Sequence, residues 1–362
     1  MEGPAPSAIA GLRRRYRRAA ELGRALRDRY SRIFWTLHSI WALVSGGIVL
    51  IIAHNRYGFL PWVVLFLTLT WLTTLFFSRL AGLDSARVRA ARGFVSYITR
   101  VMYQETLFFL LPFYFYSTTF MSWNSAYVMV LAGLAALSCF DVVFDRLLRT
   151  NRWFALSFFA FVTFSALQFF LPLLLHVPVH NGAYLAAGLA FLASLPLAYS
   201  HHELNQPRRL ALIVAALLVV VGTLKVGREL IPPVPLRLTD LGFGVGLDPR
   251  THELEHQLRA DQPPNADEMA GSRLFARATI FSPGSLPLRA RIRFLHDGRV
   301  VKTSRNLDLV AHQKGFRVWD AIRIGPAENA AGVYRAEVWT SEGQLVGRRE
   351  IRIAPAPSDF TR

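Results

Sequence analysis

Long stretches without charge constrain this chain more than any other feature. Seven apolar windows can be drawn, approximately at 34–54, 58–78, 98–120, 124–143, 153–175, 182–199 and 209–226. Each is close to the ~20 residues that a helix needs to cross a ~30 Å hydrocarbon core. Of 362 residues, 52% are hydrophobic and only 18% charged, and the charge collects between the windows rather than within them. A soluble two-domain enzyme, a disordered chain and a disulfide-rich secreted chain are therefore not expected. The expected fold class is a membrane α-helical bundle of about seven transmembrane helices, followed by a small antiparallel all-β sandwich. Cys139 is the only cysteine, so an intrachain disulfide and a thiolate cluster are excluded.

The net charge of +17 is divided unevenly: residues 1–226 hold 21 basic and 8 acidic groups, residues 227–362 hold 20 and 16. Nine arginines lie in Arg13–Arg32, Arg56 follows the first window, and Arg79, Arg87, Arg89 and Arg92 follow the second. Ser117–Asn124 holds no cation, then come Arg146, Arg149 and Arg152. His176–Gly182 again holds none, and the last connection has Arg208 and Arg209. One side thus collects eighteen cations and the other one. The positive-inside rule makes the first side cytoplasmic and puts the C-terminal portion outside, in the periplasm of a Gram-negative cell. Lys225 and Arg228 oppose this mildly. This use of the charge leaves no need for a nucleic-acid partner. The first window is expected to act as an uncleaved anchor, because it is too long for a signal h-region.

The expected domains are a basic amphipathic leader over 1–33, the helical domain over 34–226, a linker and first strand region over 227–271, the sandwich over 272–354 and a tail over 355–362. In the leader, Ile9, Leu12, Tyr16 and Leu26 fall near one helix face and Arg13, Arg14, Arg17 and Arg18 around the other. This reads either as a surface helix whose arginines meet anionic lipid headgroups, or as a solvated topology determinant.

Charged groups at bilayer depth are costly, which makes His38, Arg100 and Glu105 candidate intramembrane residues. A transporter or membrane-embedded enzyme would use Glu105 with His38. Capping and pairing near the cytoplasmic boundary accounts for the same residues. The aromatic run from Phe108 to Tyr116 reads as lipid-facing packing and an interface belt.

From Ile231 the composition changes, with Pro232–Pro235 starting an extended chain. Leu288, Ala290, Ile292 and Phe294 alternate with Arg289, Arg291 and Arg293, the period of a strand with one buried face. Asp297-Gly298 suits a two-residue hairpin turn into Arg299–Leu309. With Phe316–Ile324, Val333–Thr340, Gln344–Ile353, Arg273–Phe281 and Leu236–Val245, about six or seven strands result, enough for a sandwich. Residues 246–271 read as a polar loop with at most a short helix. Surface candidates for binding are Arg317, Trp319, Arg323, Arg335 and Trp339.

The strand Phe316-Arg317-Val318-Trp319, the run Gly332–Val338, Gly343–Arg348 and the His296–Val301 hairpin resemble a C-terminal domain of unknown function in bacterial envelope proteins. In some of these the domain follows a multi-pass inner-membrane region, and Tyr30–Ile52 is similar to its start. The resemblance implies location and architecture, not chemistry: a periplasmic β domain on a multi-pass anchor.

His252-Glu253-Leu254-Glu255-His256 matches the zinc-protease pattern, in which two histidines one helical turn apart bind zinc and the glutamate activates water. That reading needs a packed helix and a third ligand; a solvated loop is the alternative. Nucleophile triads, phosphate loops and dinucleotide fingerprints do not stand out, so no cofactor is expected. The function expected is that of a non-enzymatic envelope protein whose sandwich binds a protein or glycan partner.

Overall fold

The computed structural model describes residues 86–356, apart from 200, 205, 283–287 and 310–314, together with positions 40, 41, 44, 69 and 72. The leader, His38 and, apart from those five positions, the first two apolar windows lie outside the described residues.

The helical part runs α1 (Ala86–Tyr116), α2 (Trp123–Ser138), α3 (Asp141–Thr150), α4 (Arg152–Leu175), α5 (Val179–Ala198), α6 (His201–Leu204) and α7 (Pro207–Val226). On α1, Tyr103, Leu107, Leu110 and Tyr114 recur at helical spacing and are buried against Phe158, Val162 and Phe169 of α4 and Leu131 and Ala135 of α2. Tyr103 meets Phe158 edge-on at 5.1 Å and Phe113 meets Phe169 at 4.4 Å. Phe108 and Tyr114 therefore belong to the interior rather than to a lipid-facing belt, while Phe115 and Tyr116 remain exposed.

Among the described residues three helices are long and apolar enough to cross a membrane, α4, α5 and α7, or four if the bent α2–α3 pair forms one span. This is fewer than the seven expected. Two windows are not described, and two others change character. The third lies in α1, where Arg100, Gln104 and Glu105 dilute the apolar run. The fourth breaks after the 16-residue α2, and α3 turns away by 104°. Asp141 and Asp145 thus belong to a separate amphipathic helix, on which Asp145 pairs with Arg149 at 2.9 Å while Phe144 is fully buried.

A 3-10 turn (Arg228–Leu230) leads to β1 (Arg237–Leu247), β2 (Leu254–Leu258), α8 (Ala266–Met269), β3 (Arg273–Phe281), β4 (Leu288–His296), β5 (Arg299–Thr303), β6 (Leu307–Leu309), β7 (Phe316–Arg323), α9 (Ala327–Ala330), β8 (Gly332–Thr340) and β9 (Leu345–Ile353). One sheet has the order β2-β1-β3-β7, the other β5-β4-β8-β9 with β6 also on β4. Every pairing of these strands is antiparallel. Alternate residues of each sheet, including Leu274, Ala276, Ile280, Ile292, Phe294, Ala336 and Val338, close one core. The β4–β5 turn forms as the sequence requires, with Asp297 and Gly298 at φ 46° and 79°.

Residues 246–271 are more ordered than a loop: they contain the end of β1, β2 and α8. The reason lies in Gly242, Gly244 and Gly246, which alternate with the inward Leu241 and Phe243. A Cβ on Gly242 would lie 2.9 Å from Leu254 Cδ1 and one on Gly244 2.8 Å from the Glu255 carbonyl oxygen. The bare backbone lets β2 lie down on the sheet.

Candidate functional site

The five surface candidates of the sandwich do not form one patch. Arg317, Trp319 and Arg323 share the outward side of β7, whereas Arg335 and Trp339 share the outward side of β8, in the other sheet. On the first face Trp319 is 40% exposed. It stacks on His252 at 6.1 Å and approaches Phe275 at 6.4 Å. Arg317 donates to the Thr251 carbonyl oxygen at 2.9 Å and lies 3.5 Å from the Glu253 carboxylate. The β1–β2 turn therefore folds across this face and covers part of it.

Asp248 anchors that turn. Its carboxylate accepts from the Arg250 amide and from the Thr251 hydroxyl, each at 2.7 Å. The Arg250 N–H first, then the Thr251 hydroxyl, hold its pKa below the usual carboxylate range.

On the second face Trp339 is half-buried. Arg293 lies over its ring at 4.8 Å, and its indole N–H donates to Glu337 at 2.9 Å. Arg335 pairs with Glu350 at 2.5 Å and with Glu337 at 3.9 Å. Glu337 is thus buried between Arg293 and Arg335, and with Glu350 it neutralises much of this face. At the far end of the same sheet His296 stacks on Tyr334 at 4.3 Å, and burial, then the Asp297 charge, raises the Tyr334 pKa.

The zinc-protease string does not lie on a helix. His252 sits in the turn with φ 53°, and Leu254–Leu258 is β2, with His256 at φ 46°. Extended backbone does not present residues four apart as one helical face, so the spacing loses the meaning it has on a helix. Both imidazoles are exposed. Among the described residues no group of three or more His, Cys, Asp or Glu is placed to hold a metal.

In the bundle Glu105 is half-buried on α1. His38 and the Arg100 side chain lie outside the described residues. Inside the bundle the polar groups are others. The Tyr114 hydroxyl donates to the Ser165 carbonyl oxygen at 2.8 Å, Tyr127 and Ser165 hydroxyls meet at 2.6 Å, and Gln168 Nε2 donates to the Pro232 carbonyl oxygen at 3.3 Å.

That last bond belongs to a seam which sequence reasoning missed. Asn124 Nδ2 donates to the Leu345 carbonyl oxygen, and Gln344 Nε2 to that of Ile231, both at 3.1 Å. Arg228 lies 3.4 Å from the Glu342 carboxylate and 4.8 Å over the Tyr184 ring. Arg348 donates to the Met121 carbonyl oxygen at 2.6 Å. Residues 231–236 are buried along this seam instead of forming an open linker. Val179 of α5 enters the sandwich core, and Val234 enters the helical one. The local signal was present: Asn124 and Gln344 are amides beside turns, but their partners are more than a hundred residues away.

No curated protein matches the chain. A family model described as "Family of unknown function (DUF5924)" matches residues 16–275. The matched range takes in the helices and ends inside β3, so β4–β9, whose pattern suggested the envelope domain, lie beyond it. The match spans well over half of the sequence, and the chain belongs to this family of unknown function.

Proposed function

We propose that this chain is a multi-pass protein of the bacterial inner membrane, whose helices hold a non-enzymatic β-sandwich on the periplasmic side, where it binds a protein or glycan partner. One observation carries the reading. The connections without cations are those against which the sandwich sits: Met121 and Asn124 touch β9, and Val179 enters the sandwich core. Arg146, Arg149, Arg152, Arg208 and Arg209 gather at the other end of the bundle, where Arg152 bonds the Ala198 carbonyl oxygen and Arg209 lies over Tyr199 at 5.6 Å. Charge bias and docking, which have independent causes, agree on one polarity.

Orientation is tested by impermeant maleimide labelling after Cys139→Ser, with Thr303→Cys in β5 or Thr150→Cys at the end of α3. The cysteine at position 303 is expected to react in spheroplasts and that at position 150 only after lysis. The opposite pattern overturns the proposal. For the partner, the full chain should be retained on isolated cell-wall glycan. Trp319→Ala should weaken retention more than Trp339→Ala, because Trp319 is the less engaged ring. Retention unchanged by both substitutions removes the sandwich faces from the proposal.

A further inference from the structure

The loop between α1 and α2, with the residues that flank it, carries large apolar side chains that no described residue covers. Phe120 is 74% exposed, Met121 87% and Trp123 72%, and the exposed Tyr116 precedes them. Two arginines from the sandwich meet this loop. Arg237, at the start of β1, has its guanidinium 5.6 Å from the Tyr116 ring and 5.5 Å from that of Phe281. Arg348 of β9 donates Nη2 to the carbonyl oxygens of Met121 and Phe120 at 2.6 and 3.5 Å. The two meet at this loop from different sheets, since β1 and β9 pack together where Gly347 lies against Leu238: a Cβ there would stand 3.0 Å from Leu238 Cβ. Their partners are rings and carbonyl oxygens, which orient a guanidinium without cancelling its charge. On the outer face of the sandwich, by contrast, Arg335 and Arg289 pair with carboxylates.

We propose that Arg237 and Arg348, with Tyr116, Phe120 and Trp123, form a collar that binds the phosphate of anionic phospholipid headgroups in the leaflet beside the sandwich; this rests on the membrane reading above. Aromatic side chains suit the headgroup boundary, and a guanidinium has donors in a fork that matches phosphate. Arg348 uses one nitrogen on the loop and keeps Nε and Nη1 for a ligand. The cations here cannot serve the positive-inside bias, since they lie on the side that the connecting loops leave nearly free of charge. A lipid phosphate gives them a use. The sandwich would then grip the membrane surface through its own strands, and not only through the end of α7.

The test is titration of the detergent-purified full chain with short-chain phosphatidylglycerol, phosphatidylcholine of the same acyl length, and inorganic phosphate. Phosphatidylglycerol should bind in preference to phosphatidylcholine, and the Arg237→Gln/Arg348→Gln pair should weaken it by about thirtyfold, roughly fivefold for each cation lost at an anionic surface. The leader arginines are common to both proteins, so the difference reads the collar. The Arg237→Lys/Arg348→Lys pair should keep the preference. Equal affinity for the two lipids, unchanged binding in the glutamine pair, or its loss in the lysine pair overturns the proposal. Competition by inorganic phosphate as strong as by the lipid makes this a free-anion site and also overturns it. Reversed maleimide labelling would overturn the orientation alone, whereas lost lipid preference with correct labelling would overturn the collar alone.

Discussion

The sandwich and the bundle expose opposite things. In the sandwich, Ile280, Ile292 and Phe294 are inside, and arginines line the outer faces. In the bundle, Asn124, Ser165 and Gln168 are fully buried, while Leu212, Leu218 and Val219 of α7 are 66–67% exposed. None of the most apolar window of α7 is buried. A protein in water has no reason to keep a 20-residue apolar helix uncovered, and one in lipid has no reason to cover it. The two regions share a chain and a seam, but the surface each presents differs, and the same substitution should cost differently in each.

The largest contrast is in truncation. Phe294→Ala removes a ring that is 1% exposed between the sheets and should destabilise the sandwich by about 3–5 kcal/mol. Leu218→Ala on α7, in detergent, should change stability by less than about 0.5 kcal/mol, as at an exposed site away from any special feature. Guanidinium unfolding of the full chain in micelles, followed by near-ultraviolet dichroism, measures both. A cost at Leu218 comparable with that at Phe294 would mean that α7 is packed against a partner helix.

Glycines sharpen the same contrast on a smaller scale. At Gly244 the added methyl of alanine would press on the Glu255 carbonyl and should cost about 1–3 kcal/mol, because a backbone must shift. At Gly222 in α7 nothing lies within 4 Å, and alanine should leave stability unchanged or raise it by up to about 1 kcal/mol through helix propensity. Melting temperatures of the two variants decide the matter, and a neutral Gly244→Ala would show that β2 can draw back from β1 without cost.

What was legible in the sequence follows from how far each signal reaches. Strand alternation at Leu288–Phe294 and the Asp297-Gly298 turn are set within a few residues, and both formed where they were read. The alternation of Gly242, Gly244 and Gly246 is as local, yet its meaning depends on β2 pairing beside it, so Leu236–Val245 reads as a strand but 246–271 as a loop. Hydropathy located α4 and α7, whose runs are uniform. It failed at Ser138–Asp141, where a continuous window conceals a break. The binding candidates Trp319 and Trp339 were read together because strand patterns give faces but not sheet membership, which depends on pairing order. The seam was illegible for the same reason, since Asn124 cannot announce Leu345.

That seam gives the next prediction, no larger than the glycine effect. Asn124→Ala removes the bond to the Leu345 carbonyl oxygen together with the bonds that Asn124 Oδ1 accepts from the Thr119 amide and the Ser122 hydroxyl, at a cost of about 1–3 kcal/mol. If sandwich and bundle act as one unit, the loss should also lower the protection of β9 amides in hydrogen exchange. In a double-mutant cycle with Gln344→Ala, whose bond to Ile231 lies in the same seam, the two losses should not add. Strict additivity, with protection of β9 unchanged, would mean two regions tethered but uncoupled.

The smallest effect belongs to pH and separates the regions by titration. Asp248 accepts two hydrogen bonds within the turn that covers Trp319, and its folded pKa is depressed. Protons therefore bind the unfolded carboxylate more readily, and its contribution is complete above about pH 4, the ordinary carboxylate pKa. It is lost as the pH falls through the lower folded value. The carboxylate lies in a surface turn and is only partly buried, so the effect is local: acidification should loosen the turn, separate His252 from Trp319 and change the tryptophan emission before any helix signal at 222 nm moves. Asp248→Asn should abolish this early step and leave the helical signal as it was. If the emission change persists in that variant, the turn is governed by another group, and Arg317, which reaches Thr251 and Glu253 from β7, is the next residue to substitute.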